Sequence, residues 1–370
     1  MKNPRERIII AIFLLITFFT AYSIIIFSSK EPSTSARAAV LYEPTTESFL
    51  YSKNADERLA MASTTKIMTA LVAIENSELD KEIEVADEAI GIEGSSLYLK
   101  CGEVLTMREL IIGLMLRSAN DAAVAIAHAV SGNVENFADL MNQKACELGL
   151  SNTHFTNPHG LDDPEHYTTA KELALISAKA LENETFREIA SSRKETIKNS
   201  VGEARLVVNH NKLLSMYDGA IGVKTGFTKR CGRCLVGAAE RDGLRFITVT
   251  INAPDDWNDH ISMFNYGYSL LEMRHIADVG EYCYKLPVIG GENSYISVSN
   301  RDSFNKILKK SDKSVIPYVE LSRYVSAPIK KGDVLGVVIF KLDGTVIGEI
   351  ELVADENSQL KKNKGLFTIA

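Results

Sequence analysis

The sequence predicts an α+β fold, in which a mixed domain with a largely helical middle is followed by a small all-β domain. Helical periodicity is concentrated between residues 60 and 182, whereas residues 221–251 alternate strand-like apolar runs with glycine-containing turns. Residues 283–355 carry short apolar runs separated by turn residues. These three observations favour two domains, of which the first is the larger.

The composition excludes several classes of protein. The 370 residues are 45% hydrophobic and 24% charged, which excludes a disordered chain, a collagen-like chain and a polytopic membrane protein. Lys and Arg number 41 against 48 Asp and Glu, and the resulting net charge of −7 argues against a nucleic-acid partner, because phosphate binding needs a basic face. Five cysteines in a chain of this length do not indicate a disulfide scaffold.

The N-terminus predicts export from the cytoplasm. Residues 8–27 carry no charge and follow a basic start, so they are long enough for a membrane helix that begins in the cytoplasm. A cleaved signal peptide is the alternative, because Ala36-Arg37-Ala38 is a small-x-small site. Because Ala38 also begins a strand-like run, we favour an uncleaved anchor within residues 1–30. The expected location is the outer face of the cytoplasmic membrane, or the cell wall if the signal is cleaved.

The first elements along the chain are a hairpin and a helix. Short β-type runs at Val40–Tyr42 and Phe49–Tyr51 flank a turn and predict a hairpin. Apolar residues then recur with helical spacing from Ile67 to Ile74, so a helix is expected to begin at or near Ser63.

Further helices are expected in the middle of the chain. Thr106 and Glu109 form a capping-box pattern before an apolar run that is interrupted at Ser118. Residues 151–167 are rich in polar and turn-forming residues and predict a long loop. The other expected helices are 122–130, 134–148 and 169–181.

The C-terminal part predicts strands. Asp343-Gly344 between the apolar runs Val334–Leu342 and Thr345–Val353 is a strong hairpin signal. Two more strands are expected at Ser294–Val298 and Val315–Leu321. The predicted domains are therefore 31–282, a β-rich domain at 283–355 and a polar tail at 356–370.

Three short motifs point to nucleophilic catalysis. They are S-x-x-K at Ser63–Lys66, S-x-N at Ser118–Asn120 and K-T-G at Lys224–Gly226. The first two patterns are weak alone, because the chain contains S-x-x-K four times and S-x-N four times. Their order and context carry the signal: the first opens an apolar helix, the second interrupts a helical run and the third lies in a strand-like run.

The S-x-x-K spacing places Ser63 and Lys66 one turn apart on the same face of a helix. A serine hydroxyl becomes a good nucleophile when a base takes its proton, and a neutral lysine is such a base if burial or a nearby cation lowers its pKa. Lys224 is the candidate for that cation. A helix start at Ser63 also favours the negative charge that develops there.

The other motif residues supply the remaining roles. Ser118 can pass a proton to a leaving amine, and Asn120 can hold a substrate amide. An oxyanion hole needs two backbone N–H groups, for which Ser63 and Phe227 are the candidates.

The K-T-G motif is suited to bind the end of a peptide. Lys224 and Thr225 can bind a free carboxylate by charge and hydroxyl. Gly226 allows a substrate backbone to lie close to the strand.

The combination of S-x-x-K with K-T-G is a known signature of β-lactamases and penicillin-binding proteins. The wider sequence resembles the D-alanyl-D-alanine carboxypeptidases, the low-molecular-mass class of penicillin-binding proteins, over residues of about 36–355. The resemblance implies a transpeptidase-like domain with an antiparallel sheet and a helical lobe, followed by the β-rich domain. The matching stretches are 60–71, 116–123, 157–162 and 222–228.

The resemblance also implies a mechanism. It implies an acyl-enzyme on Ser63, with Lys66 as proton acceptor and with Ser118 and Asn120 on the second wall of the site. It places Lys224 and Thr225 on the terminal carboxylate of a peptidoglycan stem peptide that ends in D-Ala-D-Ala. Penicillins would acylate the same serine, and no metal or cofactor is implied. Some members add an arginine after the strand that follows K-T-G, but residues 254–260 contain none.

Other functions share the same motifs. A class A β-lactamase adds a Glu-x-x-Leu-Asn segment, which is absent here. A penicillin-sensing or wall-binding protein without turnover would be expected to lose Ser63 or Lys66. A related endopeptidase or transpeptidase differs only in the peptide bond or the acceptor, so the sequence separates these from a carboxypeptidase poorly.

Several other polar residues favour structural roles. His159, within the Asn-Pro-His-Gly turn, is interpreted as structural rather than catalytic. For Cys231 and Cys234, a local disulfide or two unpaired thiols is favoured over a redox or metal site, because no second ligand pair is visible. The acidic residues Asp255, Asp256 and Asp259 are read as a solvated turn rather than a metal site.

Overall fold

The computed structural model describes residues 31–362 and divides the chain into two compact units, with the second beginning at Leu270. The strands of the first unit are β1 (Ala38–Glu43), β2 (Ser48–Lys53), β3 (Glu82–Glu84), β4 (Val104–Thr106), β5 (Lys194–Lys198), β6 (Ala204–Val208), β7 (Ala220–Thr228), β8 (Gly232–Arg241) and β9 (Leu244–Ile251). Its helices are α1 (Lys66–Asn76), α2 (Met107–Ile112), α3 (Asn120–Ser131), α4 (Val134–Glu147), α5 (Ala170–Glu182), α6 (Glu184–Ser191), α7 (Leu213–Met216) and α8 (Asp256–Leu270).

An antiparallel five-stranded sheet forms the frame of the first unit. Its strand order is β2-β1-β9-β8-β7, so β7 lies at an edge. The expected β1–β2 hairpin is confirmed, with Leu41 opposite Tyr51. Because β7 pairs with β8 on one side only, its other edge keeps backbone groups available to a ligand.

Alternation along the strands gives the sheet two buried faces. Val40 and Val249 pack into the apolar cluster shared with the helices, including α1, α3 and α5. Leu41 and Phe246 point to the opposite face, where α8 covers them; a Cβ atom built at Gly267 would lie 3.1 Å from the Phe246 ring and 3.2 Å from Leu41. A glycine at that position therefore lets α8 approach the sheet closely.

The helix signals in the sequence agree with the structure. Thr106 and Glu109 form the predicted capping box at the start of α2. Thr169 accepts a hydrogen bond from the backbone N–H of Glu172 and so caps α5. Helices α6, α7 and α8 and the two-stranded ribbons β3–β4 and β5–β6 were not predicted from the sequence.

The second unit is built from strands. They are β10 (Leu271–Ala277), β11 (Cys283–Ile289), β12 (Tyr295–Asn300), β13 (Phe304–Lys309), β14 (Ile316–Leu321), β15 (Val325–Ser326), β16 (Val334–Leu342) and β17 (Thr345–Ala354). Six of them form a sheet of order β14-β16-β17-β12-β11-β15, and β10 pairs with β13. The predicted turn at Asp343-Gly344 joins β16 to β17, and both residues have positive φ, as a tight hairpin turn requires.

The boundary between the units lies earlier than the sequence analysis places it. The predicted boundary falls after residue 282, whereas the second unit begins at Leu270. The difference is β10, which pairs antiparallel with β13 from Leu271 opposite Lys309 onward. A single strand has no local signal for the sheet that it joins, because its partner is distant in sequence.

The residues just before β1 pack against the first unit. Within the described residues, the backbone N–H and hydroxyl of Ser35 donate to the Asp259 carboxylate, with 2.7 Å for the hydroxyl. The hydroxyl of Thr34 is buried and lies 3.2 Å from the Tyr51 hydroxyl. Residues 34–36 therefore belong to the folded unit. The proposed anchor at residues 1–30 lies outside the described residues, as does most of the predicted polar tail.

Candidate active site

The nucleophile candidate lies where the chain enters α1. Ser63 is in a single 3-10 turn, Ala62–Thr65, that leads directly into that helix. Ala62 has φ 48°, an uncommon left-handed conformation for a residue with a side chain. Its carbonyl oxygen packs against Gly160, where a Cβ atom would lie only 2.0 Å away. The polar loop after α4 therefore helps to hold the backbone that presents Ser63.

Lys66 points back at the serine from the first turn of α1. Its Nζ lies 3.1 Å from Ser63 Oγ, and it also donates to Asn120 Oδ1 at 2.7 Å and to the His159 carbonyl oxygen at 2.5 Å. The side chain has no solvent exposure. These acceptors fix the amino group beside the hydroxyl whose proton it would receive.

The environment of Lys66 favours its neutral form. Burial lowers its pKa well below the ordinary value, and the charge of Lys224 lowers it further, while Asp121 opposes the shift. Burial and a nearby cation are the two causes predicted from the sequence, and burial makes the larger contribution to the lowered pKa. A neutral amine within hydrogen-bond distance of a serine hydroxyl is the arrangement of a general base and its nucleophile.

The S-x-N motif lies at the junction of a π-helical turn and α3. The turn Gly113–Arg117 ends at Ser118, which has φ 61° and ψ 33°. A serine whose backbone adopts the left-handed conformation between two helices is strained, and such residues concentrate at functional sites. The side chain of Ser118 is largely buried and lines the same cleft as Ser63.

Asn120 lies behind the cleft and holds Lys66. Its amide oxygen accepts from Lys66, and its amide nitrogen donates to the Glu93 carbonyl oxygen at 2.5 Å. Next to it, the buried Asp121 carboxylate accepts hydrogen bonds from the backbone N–H groups of Leu97 and Leu99. The predicted contact of Asn120 with a substrate amide stays a prediction, whereas its contact with the lysine is present.

The K-T-G motif lies on the edge strand β7. Lys224 is buried, its Nζ donates to the Thr225 carbonyl oxygen at 3.0 Å, and burial lowers its pKa to about 7. Thr225 faces the cleft. A Cβ atom at Gly226 would lie 3.0 Å from the backbone nitrogen of Ser63, so the strand passes directly against the turn that carries the nucleophile.

These elements enclose a cleft of about 580 Å³. Five of the predicted site residues line it: Ser63, Ser118, Thr225, Gly226 and Phe227. The other three, Lys66, Asn120 and Lys224, are buried beneath its wall. The predicted site residues therefore come together from a helix start, a helix junction and an edge strand.

Sequence reasoning missed several residues of the cleft. They are Ser95, His210, Lys212, Arg233, Cys234, Asp256 and Trp257. Arg233 donates to Asp256 at 2.7 Å and lies 5.8 Å from the Trp257 ring centroid. Arg233 lies opposite Phe227 in the β7–β8 pairing, so its place in the cleft depends on a strand register that local sequence patterns do not give.

A histidine, three acidic residues and two cysteines were assigned structural roles from the sequence. His159 offers its backbone oxygen to Lys66, and burial, with the charge of Lys66, lowers its own pKa to about 3. The interpretation of the acidic residues as a solvated turn is wrong for two of them, because Asp256 and Asp259 are buried in the first turn of α8. Cys231 and Cys234 are free thiols.

Comparison with known proteins decides the family. Residues 26–255 match the family model described as D-alanyl-D-alanine carboxypeptidase, and residues 271–359 match the C-terminal domain of penicillin-binding protein 5. The chain belongs to the D-alanyl-D-alanine carboxypeptidase family. It is a serine-type carboxypeptidase of that family, as the motifs predict, and the carboxypeptidase and β-rich domains are both represented.

Curated relatives of this carboxypeptidase match over most of its length. The D-alanyl-D-alanine carboxypeptidase DacF of Bacillus subtilis is 33% identical over 350 residues, which cover 92% of this chain and 89% of that protein. DacC of Escherichia coli is 32% identical, with 89% of this chain and 85% of that protein covered.

Solved structures of carboxypeptidases show the same fold. DacD from Francisella tularensis has a TM-score of 0.64 at 28% identity and covers 90% of this chain and 96% of that chain. Penicillin-binding protein 5 from Haemophilus influenzae has a TM-score of 0.65 at 28% identity, and the match covers 89% of this chain and 99% of that chain. The expected fold, a transpeptidase-like domain followed by a β-rich domain, is confirmed. Within residues 31–362, no helix is long and apolar enough to cross a membrane.

Proposed function

We propose that the protein removes the terminal D-alanine from peptidoglycan stem peptides through an acyl-enzyme on Ser63. The observation that carries the proposal is the position of Lys66, whose buried Nζ lies 3.1 Å from Ser63 Oγ. Burial lowers the pKa of this lysine well below its ordinary value, which favours the neutral amine that can act as a base.

The chemistry proceeds in two halves. Lys66 takes the proton of Ser63 Oγ as that oxygen bonds to the carbonyl carbon of the penultimate D-alanine, and the backbone N–H groups of Ser63 and Phe227 stabilise the oxyanion. The C–N bond then breaks as Ser118 gives its proton to the departing amine and receives in its place the proton that Lys66 took from Ser63. Water hydrolyses the resulting ester and regenerates the serine.

The charge of the site supports a substrate with a free carboxylate. Lys224 and Thr225 are adjacent on β7, and the cleft is also lined by Lys212 and Arg233. The exposed edge of β7 can accept a peptide backbone as an added strand. A C-terminal D-Ala-D-Ala peptide satisfies both requirements, and a β-lactam with its carboxylate would occupy the same position and acylate Ser63.

The test uses the full-length chain and its Ser63→Ala variant, with a diacyl-Lys-D-Ala-D-Ala peptide and a fluorescent penicillin. We expect D-alanine release and a covalent penicillin adduct in the wild type and neither in the variant, with equal thermal unfolding of both. Adduct formation without D-alanine release would indicate a sensor or an endopeptidase. Rapid multiple turnover of penicillin would indicate a β-lactamase.

We also propose that the protein acts at the outer face of the cytoplasmic membrane, in keeping with a cell-wall substrate. Support comes from the sequence, since residues 8–27 are uncharged and follow three basic residues, Lys2, Arg5 and Arg7. Fractionation of cells that express the full-length chain tests this. We expect the protein to stay in the membrane fraction after an alkaline wash and to be digested by protease added outside the cells. Recovery of a shortened chain from the medium would indicate a cleaved signal.

A further inference from the structure

Cys231 and Cys234 form a buried thiol pair beside the active site. Their sulfur atoms lie 2.9 Å apart, and both side chains are at most 5% exposed. Cys231 lies in the turn between β7 and β8, and Cys234 lies on β8. Cysteines this close can form a disulfide with little movement of the backbone.

The pair contacts both sides of the nucleophile. The thiol of Cys231 donates to the Ala60 carbonyl oxygen at 2.7 Å, three residues before Ser63. Cys234 lies opposite Gly226 in the β7–β8 pairing, and Gly226 packs against the backbone nitrogen of Ser63. A change in the sulfur atoms is therefore transmitted to the turn that presents the serine and to the strand beside it.

A small oxidant has a route to the pair. Cys234 lines the same cleft as Ser63 and Thr225, although the residue is only 1% exposed, so an oxidant in the substrate cleft reaches its sulfur atom when the cleft wall opens locally. Cys234 lines the cleft and Cys231 does not, so Cys234 is the thiol nearer to an oxidant in the cleft. Exchange is therefore expected to begin at Cys234.

We propose that Cys231 and Cys234 form a redox-modification site, at which a reversible disulfide slows acylation of Ser63. The oxidant is a small disulfide. Cys234 attacks one of its sulfur atoms and releases one thiol, and Cys231 then attacks the mixed disulfide and releases the second. One disulfide is reduced, one forms in the protein, and the two thiol protons pass to the released thiols.

Oxidation removes a contact of the turn that holds Ser63. A disulfide has no S–H group, so the Ala60 carbonyl oxygen loses its donor. Loss of one hydrogen bond of ordinary strength corresponds to a rate decrease of about threefold to tenfold if the bond is needed in the transition state. The decrease is reversed by a dithiol reductant.

The experiment uses a full-length variant in which the three exposed cysteines, Cys101, Cys146 and Cys283, are replaced by serine. It is incubated with oxidised or reduced glutathione, alkylated with N-ethylmaleimide and mapped by mass spectrometry. Acylation by a fluorescent penicillin is timed on the same samples. We expect a Cys231–Cys234 disulfide, acylation about threefold to tenfold slower, and recovery of both after dithiothreitol.

Two further variants in the same background sharpen the result. Cys231→Ser keeps a donor for Ala60 but cannot close the disulfide, so it should retain one glutathione on Cys234. With Cys231→Ser and Cys234→Ser combined, the acylation rate should not respond to oxidised glutathione.

Full alkylation of both thiols after oxidation, or a disulfide that leaves the acylation rate unchanged, would overturn the proposal. The kinetic readout rests on the proposed acyl-enzyme, whereas the mass readout does not. If penicillin did not acylate the reduced protein, the result would therefore count against the mechanism at Ser63. Mass spectrometry would still show whether the disulfide forms.

Discussion

Lys66 Nζ lies 3.1 Å from Ser63 Oγ, and the lysine side chain is closed off from solvent. An ammonium group in this position would have no lone pair with which to accept the Ser63 proton, so the pair works only because the protein disfavours the charge. Burial does most of this, and the positive charge of Lys224 adds to it. Lys224 therefore has two roles in the proposed mechanism, because it lowers the pKa of Lys66 and is also proposed to bind the substrate carboxylate.

Replacement of the base should stop acylation without unfolding the protein. Lys66→Met keeps the length and apolar stem of the side chain but removes the amine, so we expect the rate of penicillin acylation to fall by about 10²–10⁴-fold. Stopped-flow labelling measures the rate. Ser63→Ala is the matched control for complete loss, and a Lys66→Met variant that acylates at the wild-type rate would exclude this residue as the base.

A carboxylate at position 120 should move the pH dependence. Asn120→Asp places a negative charge near Lys66 Nζ, which lies 2.7 Å from the present amide oxygen. The pKa of Lys66 should rise, so the acidic limb of the acylation profile should move to higher pH and the rate at pH 7 should fall. Rates measured from pH 5 to pH 10 test this.

Asn120→Ala is the control for that variant. It removes the hydrogen bonds to Lys66 and to the Glu93 carbonyl oxygen without adding a charge, so its profile should not show the alkaline shift of Asn120→Asp. Equal profiles for the two variants would mean that the asparagine acts only through packing.

Recognition of a terminal carboxylate should weaken above neutral pH. The pKa of Lys224 is about 7, so its amine is charged below that pH and neutral above it. We expect kcat/KM for the D-Ala-D-Ala peptide to fall by up to tenfold for each pH unit above about 7, since the profile of kcat/KM reports the free enzyme. The same peptide with a C-terminal amide should lack this limb; if it shows the limb equally, the titrating group does not bind the carboxylate.

Gly226→Ala should impair catalysis more than stability. Its Cβ would lie 3.0 Å from Ser63 N and 3.1 Å from Thr64 N, so the turn must shift to admit it. A displacement of the nucleophile by a fraction of an ångström is expected to lower the acylation rate by about 10- to 100-fold. The variant should remain folded, as thermal unfolding would show.

Gly160→Ala provides the contrast. There the added Cβ would lie 2.0 Å from the Ala62 carbonyl oxygen, and the residue has φ +85°. We expect a large decrease in the melting temperature in addition to lost activity. If Gly226→Ala destabilised the protein as much as Gly160→Ala, its effect on rate could not be assigned to the position of Ser63.

Local signals in the sequence explain much of the fold. The capping box at Thr106, the N-cap at Thr169 and the Asp343-Gly344 turn depend on neighbouring residues, and the structure has all three. Elements without such signals were missed. Strand β10 is recognisable as part of the β-rich unit only through its pairing with β13, and the start of α8 at Asp256 resembled a polar turn.

The sequence by itself determined which residues carry the chemistry. The spacing of Ser63 and Lys66 on one helix turn is a local property, and the order of the three motifs is specific enough to indicate the family. The α+β class and the C-terminal β domain also follow from local periodicity and turns.

Only the tertiary structure decided how these residues divide the work. Asn120 and Lys224 lie beneath the cleft rather than in it, and Cys234 and Arg233 lie in its wall, because β8 and the loop at Gly160 pack around the turn at Ser63. Burial of the two lysines is set by parts of the chain far apart in sequence. Desolvation, and with it the pKa that makes Lys66 a base, is therefore a property of the assembled fold.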